Sequence, residues 1–275
     1  LFDIDAMYMT GYGTSLSKPG LPDAGLITMP EMVENAGNIQ ETISVPLIAD
    51  ADNGYGNAIN VIRTVREFIK ADVAGIHIED QSFPKRCGHV TGRQLISKEA
   101  AIGKFRAAAD VRDERGQEFV IIARTDARGA TGGSLDEAID RVNAYCNAGA
   151  DVAFLEGPVD EQEVERVGQE VDAPLLYNCT GISPYLSAER LDELGFDIVI
   201  YPGLSTRATI IGMYEWASRL DEIGSDAISE LYAAFDDLPL GNYHEFSGFP
   251  TVVEWQVKYL PEEEADKYED SIGEF

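Results

Sequence analysis

Cysteine is scarce in this chain. Only three occur, at positions 87, 146 and 179, and no two form a CxxC pair. That spacing excludes a disulfide framework and a cysteine-built zinc module, and it fits a reducing cytoplasm. Long apolar runs are missing, so no membrane-spanning helix is expected. No basic segment leads into an apolar one, so no secretory signal is read. Positive charge is short as well: 21 Lys and Arg face 49 Asp and Glu, a net charge of −28 at pH 7. Phosphate backbones need cations, so nucleic acid is excluded as a partner. The GxGxxG, P-loop and GxSxG patterns are all lacking, which removes a dinucleotide sheet, a P-loop site and a nucleophile elbow.

What is present is an acidic, well-patterned globular sequence. Its 275 residues are 44% hydrophobic, enough for one large domain. The acidic residues are spread along every segment rather than gathered in a tail, and Lys is outnumbered by Arg. That is the pattern of a halophilic cytoplasmic protein, in which salt screens the self-repulsion.

Seven short apolar segments read as strands: Ala6–Thr10, Pro46–Ala51, Gly75–Ile78, Phe119–Arg124, Val152–Leu155, Pro174–Tyr177 and Ile198–Tyr201. Helical patterns lie between most of them, at Ala58–Ala71, Lys98–Val111, Ser134–Ala148, Glu161–Glu170 and Ser187–Leu194. Such alternation means parallel strands joined by right-handed crossovers. Polar residues fall at the C-terminal end of strand after strand: Thr10, Asp50, Asp52, Glu79, Arg124, Asp126, Glu156 and Asn178. An open sheet gathers its functional groups at one switch point, whereas a (β/α)8 barrel builds its site from the whole rim. The reading is therefore a single (β/α)8 TIM barrel over residues 1–275, with its first strand expected upstream of Leu1. Residues 221–275 read as a C-terminal helical extension, ending in a helical segment over Thr251–Asp270. Its apolar residues, Trp255 and Val257 among them, exceed what closing a barrel needs. They predict packing on a neighbouring subunit, or else back on the same barrel.

Asp50 and Asp52 point the same way at period two. With Glu79 they form an oxygen-rich site suited to Mg²⁺, or to Mn²⁺, with waters left for a substrate to displace. Zinc is disfavoured, because the three His are scattered. The loop Lys85-Arg86-Cys87-Gly88-His89 sets cations around one thiol, which predicts a lowered Cys87 pKa and a usable proton carrier. Arg124 clamps an anionic oxygen, pairs with Asp126 or Glu156, or does both at once. Tyr8 reads as a strand aromatic or as a phenolic acid or base. Asn178, Thr180 and the run Thr10-Gly11-Tyr12 offer neutral donors for carboxylate oxygens, although turns use the same residue types. His77 reads as a core or supporting histidine.

Taken together, LIADADNGYG (47–56), GIHIEDQ (75–81), KRCGH (85–89) and IIARTDA (121–127) resemble the isocitrate lyase/phosphoenolpyruvate mutase superfamily. KRCGH resembles the signature of its isocitrate lyase and 2-methylisocitrate lyase branch, and the likeness runs from about Tyr8 to about Pro202. The resemblance implies a TIM barrel with an exchanged C-terminal helix, a homotetramer, and a tri- or dicarboxylate substrate. It implies Mg²⁺ near Asp50, Asp52 and Glu79, with Asp23 further out. It matches Thr10, Gly11, Tyr12, Gly88, His89, Arg124, Glu156, Asn178 and Thr180 to substrate contacts. It also implies that Tyr8 is the base, that Cys87 is the acid, and that the Cys87 loop is a lid able to stand away from the metal. Isocitrate is favoured on Tyr12, whose bulk would crowd an added methyl. The short chain and the run Asn178-Cys179-Thr180-Gly181 depart from long isocitrate lyases, so 2-methylisocitrate is the alternative. Oxaloacetate- or phosphonate-cleaving chemistry and a non-catalytic dicarboxylate-binding barrel are more distant ones.

Overall fold

The computed structural model describes residues 4–115, 118–261 and 264. By its contacts the chain divides into two compact units, Leu1–Thr206 and Arg207–Phe275.

In the first unit seven strands form a nearly closed parallel barrel in the order of the chain. They are β1 Met7–Met9, β2 Leu47–Asp50, β3 Gly75–Glu79, β4 Val120–Thr125, β5 Val152–Leu155, β6 Leu175–Asn178 and β7 Ile198–Ile200. The expected eighth strand is not among the described residues. Seven helices follow the strands: α1 Gly11–Ser17, α2 Met29–Thr42, α3 Ala58–Lys70, α4 Lys98–Arg115, α5 Leu135–Cys146, α6 Glu161–Glu170 and α7 Ala188–Glu193.

The pleat explains how this sequence places a site. Strand side chains alternate between faces. Ile48, Ile122, Phe154, Leu176 and Ile200 form one apolar layer, with Tyr8 packed against it. Their neighbours Ala49, Ile76, Ile78, Ile121 and Ala123 pack outward, with Val61, Val65, Phe68 and Phe105 from α3 and α4. One pleat beyond the inner layer stand Asp50, Arg124, Glu156 and Asn178, two residues after Ile48, Ile122, Phe154 and Leu176. Pairing then sets neighbours side by side: Glu79 opposes Arg124, and Asp50 opposes His77.

Most helix starts are capped by short polar side chains, as at Asn57, Ser134, Asp160 and Ser187. The patterning missed α1 and α2. Helix α2 carries two Asn and a Gly, which blur its apolar stripe, and its start is set by a Thr28–Glu31 capping box.

The second unit holds most of α8 Leu204–Ile223, then α9 Asp226–Asp236, α10 Tyr243–Phe246 and α11 Phe249–Tyr259. Helix α8 was not anticipated, and the division falls inside it rather than at Asp221. Helix α11 starts at Phe249, two residues before the predicted segment, while the far end of that segment lies outside the described residues. Of the four helices only Ala227 is buried, whereas Met213, Tyr214, Trp255 and Val257 are exposed. Among the described residues no helix is long and apolar enough to cross a membrane.

Candidate active site

The mouth of the barrel collects buried charge. Asp50, at the end of β2, accepts the Gly11 amide at 2.8 Å and the Asp52 amide at 2.9 Å, and its Oδ1 lies 3.2 Å from His77 Nε2. Burial pushes the Asp50 carboxyl up, but His77 when it carries a proton, Lys85 and Arg124 outweigh it and hold the group well below the usual carboxylate range. Asp52 turns back toward Asp50 in a left-handed conformation, φ 47°. Burial and the charges of Asp50 and Asp23 push it up to about 6, against the pull of Lys85. Lys85 is itself buried, with Nζ 2.5 Å from Oδ1 of both Asp23 and Asp52. Glu79 is raised by burial, which Arg124 and Lys85 only partly relieve, and its Oε1 has no hydrogen-bond partner.

Arg124 pairs with Asp126. Its Nε and Nη2 donate to the two Asp126 oxygens at 3.0 and 3.1 Å, the fork geometry of a strong guanidinium–carboxylate pair. Glu79 and Glu156 each lie 3.5 Å away, and the guanidinium sits over the Phe154 ring. Asn178 Nδ2 donates to Glu156 at 3.0 Å, and His89 Nε2 is 3.6 Å from the other Glu156 oxygen. Thr180, next along the β6 loop, is buried.

The KRCGH loop lies over this mouth rather than away from it. A Cβ on Gly88 would overlap Arg124 and come within 2.8 Å of Glu156, and one on Gly181 would overlap the His89 ring. The Cys87 amide donates to Asp23 O at 3.1 Å. The predicted acidification of Cys87 is not found. Burial pushes the thiol up, the His89 amide only partly offsets it, and Asp23 and Glu156 add to it. Lys85 points to the carboxylates instead, while Arg86 turns out to Thr91 O.

Tyr8 is also revised. Its hydroxyl meets His77 Nε2 at 2.7 Å, and burial with the Asp50 charge pushes the phenol well up, so it is not a ready-made phenolate. The Gly11 amide is committed to Asp50, leaving Thr10 and Tyr12 as the flanking groups of that run. Tyr12 is 48% exposed, which weakens the inference that its bulk shuts out a methyl group.

Asp23, Asp50, Asp52, Glu79, Asp126 and Glu156 outnumber Lys85, Arg93 and Arg124. This negative surplus and the unpartnered Glu79 oxygen fit a divalent cation. Among the described residues no three His, Cys, Asp or Glu are grouped to hold a metal by themselves. A cation here would therefore keep much of its water, as Mg²⁺ does.

Sequence reasoning missed Lys104 and Arg93. Lys104, on α4, is buried and donates to Asn53 O at 2.6 Å, beside the strained Asp52 turn. Burial pushes its amine down to about 8. The folded state thus releases this proton more readily than the unfolded chain, so its contribution to stability rises between about pH 8 and pH 10.5, by at most about 3 kcal/mol. Urea unfolding at pH 7.5 and pH 10 is expected to show wild type gaining on Lys104→Met at the higher pH. A constant difference would refute it.

The sequence profile of the phosphoenolpyruvate phosphomutase family matches residues 2–220. A 2,3-dimethylmalate lyase from Eubacterium barkeri is 42% identical over 93% of this chain and 86% of its own. An isocitrate lyase from Haloferax volcanii is 36% identical over 94% and 78%. A 2-methylisocitrate lyase from Aeropyrum pernix is 39% identical over 88% and 78%. Among solved structures, that of 2,3-dimethylmalate lyase superposes with a TM-score of 0.84 at 35% identity, covering 93% of this chain and 83% of that one. A phosphonopyruvate hydrolase complexed with oxalate and Mg²⁺ gives 0.79 at 31% identity, covering 94% and 88%.

Proposed function

The chain belongs to the phosphoenolpyruvate phosphomutase/isocitrate lyase superfamily as a carbon–carbon lyase, and we propose that it cleaves isocitrate to glyoxylate and succinate. The observation that carries this reading is the seat of the Cys87 loop, with Gly88 against Arg124 and Glu156 beside the Glu79 carboxylate. A protonated thiol on a loop seated against the Arg124 guanidinium is what protonating a carbanion next to a carboxylate requires.

Tyr8 takes the proton of the substrate's C2 hydroxyl and passes its own to His77 Nε2, whose new charge faces Asp50. The C2–C3 bond breaks, C2 becomes the glyoxylate carbonyl, and the electron pair moves onto C3 and into its carboxylate. Cys87 gives its proton to C3, forming succinate, and regains one from water. Burial keeps the thiol protonated, which suits an acid in the cleavage direction. Arg124, fixed by Asp126, presents its charge to the developing oxyanion without rearranging. Mg²⁺ or Mn²⁺ held by Asp50, Asp52 and Glu79, with Asp23 further out, would supply positive charge to the same oxygen and to the C1 carboxylate.

Isocitrate, 2-methylisocitrate and 2,3-dimethylmalate share a malate skeleton and differ in what C2 and C3 carry. His89 Nδ1 is buried without a partner beside Gly181. A ring nitrogen able to donate, left unpaired beside a C3 methyl, would be costly, so this side of the lining favours a carboxymethyl group there. The C2 methyl is the second reading, supported by the exposure of Tyr12 and by the resemblance to 2-methylisocitrate lyase. We also infer that the protein works in a salt-rich cytoplasm, and that the exposed apolar residues of α11 pack on another copy in a tetramer.

The test is kcat/KM for all three acids in molar KCl with Mg²⁺, by glyoxylate or pyruvate release. Isocitrate is expected to lead 2-methylisocitrate by about 10- to 200-fold, the reach of one methyl group. Pyruvate from either methylated acid, with no glyoxylate from isocitrate, would overturn the substrate assignment.

A further inference from the structure

Arg93 lies beyond the KRCGH signature, in the segment between β3 and α4, flanked by exposed residues, yet it is 5% exposed itself. Its guanidinium reaches back across the loop. Nη1 donates to Gly88 O, the carbonyl between Cys87 and His89, and also lies 3.2 Å from Asp126 Oδ1. Nη2 donates to Gly129 O at 3.0 Å, in the loop after β4. A Cβ on Gly129 would overlap the guanidinium, so that approach requires glycine. The Arg93 carbonyl accepts the Thr131 amide at 3.3 Å, tying the same two loops a second time.

Several other contacts hold the base of the Cys87 loop. Ser82 N donates to Gln94 O at 2.8 Å, and the Gln81 amide group clasps the Arg86 backbone at 2.8 and 3.0 Å. The tip is held by the Cys87 amide on Asp23 O and by Arg93 on Gly88 O. Arg93 joins the tip to Asp126, beside the looser approach of His89 to Glu156 at 3.6 Å. Asp126 receives the Arg124 fork on one side and Arg93 on the other, so Gly88, Arg93, Asp126 and Arg124 form one buried chain.

We propose that Arg93 is a positioning residue that latches the Cys87 loop over the barrel mouth, through Gly88 O at its tip and Asp126 at its anchor. This rests on the lyase reading for its effect on turnover, but the latch itself is independent of which substrate is cleaved. A planar guanidinium serves three acceptors at fixed angles, and a Lys ammonium of similar reach cannot span the same set. Asp126 keeps the Arg124 fork when Arg93 is lost, so the variant is expected to fold with its loop released.

The test uses the full chain in molar KCl with Mg²⁺ and reads Cys87 carbamidomethylation by iodoacetamide through peptide mapping. Cys179, which is buried, serves as an internal control for general unfolding. Arg93→Ala is expected to speed Cys87 modification at least about tenfold, the scale of losing a charge-assisted hydrogen bond from the closed state, with Cys179 unchanged. Turnover should fall through kcat more than through KM, and added guanidinium ion should restore part of it. Arg93→Lys should fall between wild type and Arg93→Ala, and it serves alone if the alanine variant does not fold. Wild-type modification rates in a folded variant, or equal rises at Cys87 and Cys179, would overturn the latch. Failure of wild type to cleave any of the three acids would remove the lyase reading while leaving the thiol readout to decide the latch.

Discussion

Cys87→Ser is expected to lose about 10²- to 10⁴-fold in kcat, the usual span of a general acid, with KM changed only a few-fold. The substitution is nearly isosteric and leaves the Cys87 amide on Asp23 O and the Gly88 contacts intact, so substrate and cation should still bind. The pH profile is the finer check. The thiol is pushed up by burial from its ordinary value of 9.0, and cleavage needs its protonated form. Cleavage turnover should therefore show no loss from thiol ionisation until the pH passes about 9. A thiol acidified by its basic neighbours would instead lose its proton near neutrality and give a falling profile there. Near-normal kcat in the serine variant would remove the role from Cys87.

Arg124→Met is expected to be costly twice over. Asp126, Glu156 and Glu79 are buried around this guanidinium, and removing it strands them. Breaking a buried pair in this way costs about 3–5 kcal/mol. The sign with pH follows from Asp126, which Arg124 pulls below its ordinary value against the opposing effect of burial. In wild type that contribution is present above the ordinary Asp pKa and is lost as the pH falls through the lower, folded value. In the variant the stranded carboxylates rise instead, so its deficit in urea unfolding should be largest near pH 7 and shrink toward pH 5. Turnover should fall by about 10²–10³ as the preorganised charge is lost, and Arg124→Lys should recover little, because an ammonium cannot hold both Asp126 oxygens. A variant as stable as wild type at pH 7 would mean that the carboxylates are compensated elsewhere.

The barrel and its rim were legible because strand alternation is local. An apolar residue followed two positions later by Asp50, Arg124, Glu156 or Asn178 gives the inward face directly from the chain. The two carboxylates after Ile78 diverge for the same reason. Glu79 faces the mouth, while Asp80 turns outward to Thr125, Arg141 and Tyr145. What was not legible depends on partners distant in sequence. Lys85 looked like a neighbour of Cys87 but is drawn to Asp23 and Asp52. Tyr8 read as a strand aromatic or as a phenolic acid or base, and nothing in its position showed that it meets His77 across strands. Arg93 carried no signal at all, since its acceptors are two carbonyls and a carboxylate brought in by folding. Helix α8 escaped because its apolar residues are spread around the helix and none of its residues is buried.

The most direct measurement is product analysis by NMR after incubating the protein with isocitrate and Mg²⁺ in molar KCl made up in D₂O. The account predicts glyoxylate and succinate in equal amounts, the succinate carrying a single solvent-derived deuterium on the carbon that Cys87 protonates. No cleavage of isocitrate, 2-methylisocitrate or 2,3-dimethylmalate under these conditions would contradict it.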